Sequence, residues 1–444
     1  EFHQIAIQLT SSHNPIVSQS SSFTASAALF FSGASSSFGA LWYRLRSEMF
    51  TLKKHKPTIS SSSITRITDL DDYILAEIIS KLPIKHMIGC QSVSRLWHHV
   101  ISSICIPKIT SSPVYGLIFN TCIPFPKCKM GTWSFACINA FSEKVGSPNT
   151  SLVESCLGRR LPFDPSPNSL LDCCNGMLLF FDRSSMQFYV YNPSTEQYIA
   201  IPNSPRRGGP PDGALFFDPH FKIVHVSGLS PRLNIYSQAT RKWSVYNLDL
   251  DPCVVDSFWS PRYVFLDGFL YKLSMSGHLV IIDLQQIDSQ AIKLPDLVVA
   301  GDLIGCLGVS QGILHYSWAD KQSNMSVWMF VQRGDTKEWV LKHTISLEYR
   351  YKHPVLNNDR DFLWFSVFAF HPTSDMLFAG NLGELFCYDP GTKRLERICR
   401  LREDTVIYSG QCLVFPFSVN LTPLCAPLKE IAGEPKHALT FSFV

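Results

Sequence analysis

The chain has 444 residues, more than one hydrophobic core accommodates, so two or three folding units are expected. Hydrophobic residues make up 45% and charged residues 17%, which excludes a wholly disordered chain. Lys and Arg total 39 against 36 Asp and Glu, a formal charge of +3, which lacks the clustered basicity of a dedicated nucleic-acid binder.

The first Met is Met49, and no Asp, Glu, Lys or Arg falls between Phe2 and Tyr43. A membrane span needs about 20 mostly apolar residues, and the seven Ser from Ser21 to Ser37 dilute this stretch. A secretory signal would open on positive charge, and an organelle transit peptide would carry early Arg. Residues 1–63 are therefore read as a disordered or mis-annotated leader, ending in the basic, Ser-rich run from Met49.

Residues 64–106 read as short helices joined by tight turns. Thr68 followed by Asp71 is a capping-box spacing, and Asp69 and Asp72 add negative charge where a helix dipole favours it. Leu70, Ile74 and Ile78 form one apolar row, and Leu75, Ile79 and Leu82 form an adjoining one, a stripe wider than one neighbouring surface needs. Pro83 stops this helix and suits the first turn of the next. After Gly89, Val93, Leu96, Trp97, Val100 and Ile101 keep helical spacing. So small a unit is marginal alone. Its spare apolar stripe either docks into a partner's groove or packs on the rest of the chain.

The order of Leu70 with its acids, the step Ile78, Ile79, Leu82, Pro83, and then Val93 to Trp97 resembles the F-box. That resemblance implies binding to a Skp-type adaptor, and through it to a cullin-RING ubiquitin ligase, by Leu70, Leu82, Pro83, Ile84, Val93 and Trp97. Asp71 departs from the family, where Pro commonly follows the first Leu.

Beyond Pro107 the texture changes to short apolar runs bounded by Gly, Pro, Asn and Asp, which predicts many strands over 107–425, with residues 426–444 as a tail. One element recurs as a strand, a polar turn, a Thr and an aromatic or aliphatic return, with Thr195, Thr240, Thr336 and Thr392 at intervals of 45, 96 and 56 residues. A second element places Asn175-Gly176, Asp267-Gly268 and Gln311-Gly312 before a strand, and Asn-Gly and Asp-Gly favour the tight turns of hairpins. A repeat near 50 residues with several strands each predicts propeller blades, because a lone blade cannot bury both faces. Strands from 111–170 and 400–420 are expected to close the ring into six or more blades. A β-sandwich or two β-domains is the alternative. The fold class expected is α+β and multidomain, a small all-α module followed by an all-β propeller-like repeat domain.

The same segments, among them CCNGMLLF with YNPSTEQY and FAFHPTSDMLFAG with ELFCYDPGTKRL, resemble the F-box-associated, kelch-like repeats of plant-type F-box proteins. That resemblance implies a region that recruits a protein for ubiquitylation.

No motif predicts catalysis, a metal or a cofactor: there is no Gly-rich phosphate loop, GxSxG or HExxH. Cys122 and Cys128, with no His nearby, read as buried thiols, and the 14 scattered Cys contain no CxxC pair, which fits a reducing compartment. His98 and His99 follow Trp97 on a helix and read as solvent-facing or interface residues. Asn149, Asn324 and Asn420 head glycosylation sequons that matter only after secretion. Arg159, Arg160, Arg206 and Arg207 read as solvated loop charge. The function expected is a non-catalytic substrate receptor of a ligase in the cytoplasm or nucleus, with no nucleic-acid or membrane partner. Loop aromatics Trp259, Trp318 and Trp364 are candidate anchors for a target protein, since Trp is enriched in binding hot spots. A propeller enzyme or lectin-like protein with a helical extension, and an F-box scaffold acting without a ligase, are the alternatives.

Overall fold

The first helix, α1 (Asp72–Ile79), starts at Asp71, whose carboxylate accepts the backbone N–H of Tyr73. A short acceptor at this position satisfies a donor that the first helical turn leaves unpaired. Asp71 itself is thus the cap, and the Thr68 end of the expected capping box lies outside the described residues. Helix α2 (Ile84–Gly89) runs into a 3-10 turn over Cys90–Ser92. Ser94 then caps α3 (Arg95–Val100), its hydroxyl accepting from the Trp97 N–H at 3.2 Å. The chain continues through a π-helical turn, Ile101–Cys105, into α4 (Ile106–Thr110). Pro107 has no N–H to offer the preceding turn, and a wider turn just before it accommodates that loss. Helix therefore persists past residue 106, and the chain divides into its two units between Ser111 and Ser112.

This computed structural model describes residues 71–122, 132–137, 161–163, 169–204, 212–295, 305–346, 365–401, 406–407 and 414–424, apart from positions 81, 83, 228–229, 321–323 and 334–335 and 382.

The second unit is built from antiparallel strands. These are β1 (Gly116–Cys122) and β2 (Thr132–Cys137); β3 (Leu170–Cys174), β4 (Met177–Asp182), β5 (Gln187–Asn192) and β6 (Gln197–Ala200); and β7 (Ala214–Asp218), β8 (His220–Ser227), β9 (Ser230–Ser237) and β10 (Lys242–Asn247). They continue with β11 (Val264–Leu266), β12 (Phe269–Ser274), β13 (His278–Asp283) and β14 (Asp288–Lys293), then β15 (Cys306–Ser310), β16 (Ile313–Ala319), β17 (Asn324–Arg333) and β18 (Thr336–Ser346). The last are β19 (Ser366–Phe370), β20 (Leu377–Gly380), β21 (Glu384–Asp389), β22 (Arg394–Arg400), β23 (Val406–Ile407) and β24 (Val414–Phe417). Among the described residues they form six separate sheets, five of them four-stranded meanders in sequence order. In the sixth, β23 and β24 line up along one edge of β1, with Thr121 opposite Ile407 and Gly116 opposite Phe417, while β2 takes the other edge. Strands from the two ends of the unit thus share one blade.

Each core cluster lies between two blades. Leu179, Phe188 and Val190 of β4 and β5 pack with Leu215, Phe221 and Ile223 of β7 and β8. Phe216 and Val224 meet Leu270, Val280 and Ile282 of the following blade, and the pattern repeats until Phe368 and Phe378 meet Leu117 and Phe119 of β1. Inner strand β24 also lies beside both β19 and β3, which closes a propeller-like ring. The alternative of a sandwich fails because the apolar faces pair sideways between small sheets rather than between two large ones.

The two repeated elements have separate physical origins. Asn175 with Gly176, Asp267 with Gly268 and Gln311 with Gly312 all have positive φ, the conformation a type I′ hairpin requires at both central residues. In the Thr195 and Thr392 hairpins, and in the Thr-free hairpin after β13, the organising residue is the Asn or Asp that ends the third strand. Asn192 accepts from the N–H groups of Ser194 and Thr195, Asp283 from Gln285 and Gln286, and Asp389 from Gly391 and the Thr392 hydroxyl. Such a side chain imitates a backbone turn, so the Thr is secondary in those two hairpins, whereas between β17 and β18 the Thr336 hydroxyl itself donates to the Arg333 carbonyl.

Candidate functional site

In the helical unit Leu75, Ile78, Ile79, Leu82, Met87, Val100 and Ile101 are buried. The wide stripe is thus mostly covered, and the spare apolar surface sits elsewhere. Tyr73, 76% exposed, and Val93, 42% exposed, are the large hydrophobic side chains in water here, while Ile84, Ile88, Leu96 and Trp97 are half-buried. The Gln91 amide donates to the Ser102 hydroxyl at 3.0 Å and fixes the turn that carries Val93. Leu70 and Pro83 lie outside the described residues. His98 and His99 are exposed.

Arg262 organises the middle of the propeller, in the segment leading into β11. Its guanidinium donates to the Phe368 carbonyl at 2.9 Å, to the Cys306 sulfur at 2.9 Å and to the Val414 carbonyl, and stands 5.6 Å from the Phe415 ring. A planar fork with five donors suits several acceptors converging from different strands, and here it joins the inner strands of four blades. On β3, the Asp172 carboxylate accepts from the N–H of Cys173 and, across the blade boundary, from that of Leu215 at 2.8 Å. Burial pushes its pKa up to about 6, against the opposing pull of those two N–H groups and the Arg262 charge. The segment after β24 then straps the second blade: the buried Asn192 amide donates to the carbonyls of Asn420 and Thr422, and the Asn420 amide donates to that of Asn175. Two sequon side chains are thereby engaged, Asn420 in this strap and Asn324 with the Asp320 carboxylate at 2.9 Å.

Between the fifth and sixth blades, Lys342 and His343 of β18 both hold the Asp375 carboxylate, His343 at 2.8 Å, and Lys342 also reaches His315 Nε2 at 3.3 Å. His315 Nδ1 lies 2.9 Å from the Ile313 carbonyl, so the proton sits on Nδ1 and Nε2 accepts. Burial holds the His315 pKa down, and the bonds from Lys342 and His343 lower that of Asp375 against its partial burial. Every member is committed to a neighbour, which makes this a latch between blades. Burial pushes the thiols of Cys174 and Cys399 up to about 12, so neither is a ready nucleophile at neutral pH. Among the described residues no group of three His, Cys, Asp or Glu is arranged to hold a metal ion, and no helix is long and apolar enough to cross a membrane.

Of the candidate anchors, Trp259 donates its indole N–H to the Val254 carbonyl at 3.2 Å and packs against the cluster between the third and fourth blades. Trp318 is not in a loop: it lies on β16, half-buried against the next cluster. Trp364 lies outside the described residues. Arg262 and the Asn420 strap had no signal in the sequence, since the partners of each lie about 40 to 250 residues away.

Residues 67–108 match the F-box domain family model. The chain is 24% identical over 320 residues to F-box protein At5g07610 of Arabidopsis thaliana, covering 65% of this chain and 73% of that one. It is 26% identical over 408 residues to the putative F-box protein At4g17780 of the same plant, covering 85% and 93%. Residues 67–108 thus carry an F-box domain. The F-box spans the capped helices and the turn that presents Val93, and a propeller-like domain follows. Among solved structures, the β-propeller domain of Cps50 (Swd1) from Myceliophteria thermophila aligns with a TM-score of 0.34 at 11% identity, covering 62% of this chain and 89% of that one.

Proposed function

We propose that this chain is an F-box protein and the substrate-recognition subunit of a Skp-cullin-F-box ubiquitin ligase. The F-box docks to a Skp-type adaptor, and the propeller holds a target protein for ubiquitylation. The observation that carries this reading is an F-box match over 67–108 in which apolar side chains, Tyr73 and Val93, remain in water. Exposed large hydrophobics beside a small helical core are what a partner's groove covers. Of the six expected adaptor contacts, Val93 is the best placed. Ile84 and Trp97 are half-buried and contribute edges, whereas Leu82, 5% exposed, acts by holding the helices that present the others.

The chemistry is supplied elsewhere in such an assembly. This chain contributes proximity, raising the effective concentration of the target at a ubiquitin-loaded enzyme. Affinity purification from cells with the proteasome blocked, followed by mass spectrometry, tests the reading. Wild-type chain recovers a Skp-type adaptor, a cullin and a target together, and Val93→Asp keeps the target while losing the first two. Recovery of the target without adaptor by the wild type contradicts it.

A further inference from the structure

Between β10 and β11 the chain makes a loop that is firmly built yet displays apolar side chains. Val254, 1% exposed, and half-buried Leu250 and Trp259 anchor it in the cluster between the third and fourth blades. The N–H groups of Val254 and Val255 both donate to the Asp251 carbonyl, and that of Cys253 to the Asp251 carboxylate. On the far side, Met275 N–H donates to the Phe258 carbonyl at 2.9 Å and Ser260 N–H to that of Leu273 at 2.7 Å, so the loop runs as an extension of the turn after β12. Beneath it lies the buried ammonium of Lys272, 2.9 Å from the Asp212 carboxylate and 3.5 Å from the centre of the Tyr263 ring.

On this scaffold Phe258 is 60% and Val255 40% exposed. Phe258 gains little burial from the loop that holds it, which leaves its ring, and that of no other aromatic in this loop, open to a contact outside the chain. Asp256 is held at φ 55°, a left-handed turn conformation that Asp tolerates. Asp249, Asp251 and Asp256 are all exposed, and the chain from Trp243 to Pro261 contains no Lys or Arg although the whole protein carries +3. A hydrogen bond from Cys253 lowers the Asp251 pKa, which keeps that carboxylate charged.

We propose that the 249–260 loop is the propeller's docking point for its target, and that it takes a basic peptide segment carrying a large apolar side chain. The proposal rests on the receptor reading above and specifies the partner's chemistry. Charge complementarity picks the partner: three exposed carboxylates on a segment without Lys or Arg, the buried Lys272 beneath being paired with Asp212, repel an acidic chain and draw a basic one, while Phe258 and Val255 receive its apolar side chain.

Fluorescence anisotropy on the full chain tests it, using a labelled peptide with a central Phe flanked by Lys and Arg, an Ala-centred analogue and a Glu-flanked analogue. The Phe and Lys/Arg peptide binds, with affinity falling as salt rises, and each analogue binds at least tenfold more weakly. Phe258→Ser weakens binding about tenfold, a loss comparable to one apolar side chain of about 1.5 kcal/mol. Asp251→Asn with Asp256→Asn weakens it severalfold and flattens the salt dependence. Both exchanges preserve the loop, because Asn retains the acceptor for the Cys253 N–H and tolerates positive φ. No binding by wild type, equal binding of the Glu-flanked peptide, or wild-type affinity in Phe258→Ser overturns the proposal. So does a concentration-dependent mass in sedimentation that Phe258→Ser abolishes, which would assign the loop to self-association. Capture of the Skp-type adaptor by the same variants stays at the wild-type level. Loss of adaptor binding in the wild type would defeat the ligase reading instead and leave the peptide result to judge the loop.

Discussion

Arg262→Ala removes a side chain that ties four blades together at the ring's centre. The lost bonds run to the Phe368 and Val414 carbonyls and to the Cys306 sulfur. A hydrogen bond from a charged donor contributes about 1.5–3 kcal/mol. The guanidinium is only half-buried, and solvent can reoccupy part of the space, so the summed loss is set at about 3 kcal/mol. With an unfolding entropy of about 2.1 cal/mol/K per residue, a domain of this size then melts about 4–5 °C lower. Differential scanning fluorimetry of purified chain reads the shift. Arg262→Lys keeps the charge but not the fork, and falls between wild type and alanine. If the alanine variant melts within about 1 °C of wild type, the guanidinium is not a clasp.

Two equivalent glycines separate turn conformation from the strap across it. Gly312→Ala, at φ 74° with nothing within 4 Å of a new Cβ, costs about 1–2 kcal/mol from backbone strain. Gly176→Ala, at φ 71° with its Cβ 2.4 Å from the Ser418 carbonyl, must also push the strap aside and costs about 3–5 kcal/mol. Equal losses in urea unfolding would show that the strap does not bear on this turn. Asp172 gives a pH signature: its folded pKa of about 6 lies above the ordinary 3.8. Its protonated form therefore stabilises the fold fully below pH 3.8, and that contribution is lost as pH rises through about 6. At about 1.4 kcal/mol per pH unit, reduced for its partial exposure, the change is about 1–3 kcal/mol. Stability measured against Asp172→Asn falls by that amount between pH 4 and 6.5, and parallel curves for the two proteins would refute the assignment.

The sequence made the hairpins readable because their determinants are local. Asn175-Gly176 and its two counterparts fix positive φ within two residues, and Asn192, Asp283 and Asp389 turn the chain within three. The F-box was similarly legible from the order of Leu82, Pro83, Val93 and Trp97. Periodicity did not tell which apolar residues would remain in water. Tyr73 lies outside the two predicted rows and is the most exposed large hydrophobic among the described residues, whereas Ile78, in the first of those rows, is buried. The helix start moved from Thr68 to Asp71 because a single carboxylate at the cap satisfies the first turn. Closure of the ring was foreseen from strands left over at both ends. The Arg262 clasp was not, because its acceptors are main-chain carbonyls that any residue could supply.

Calorimetric titration of purified Skp-type adaptor into the full chain tests the central claim most directly. Wild type binds with one-to-one stoichiometry. Val93→Asp, which places a charge where an apolar side chain should be covered, binds at least tenfold more weakly, equivalent to about 1.4 kcal/mol or more, with an unchanged melting temperature. Undiminished binding by this variant, or none by the wild type, would contradict an adaptor-docking F-box surface centred on Val93.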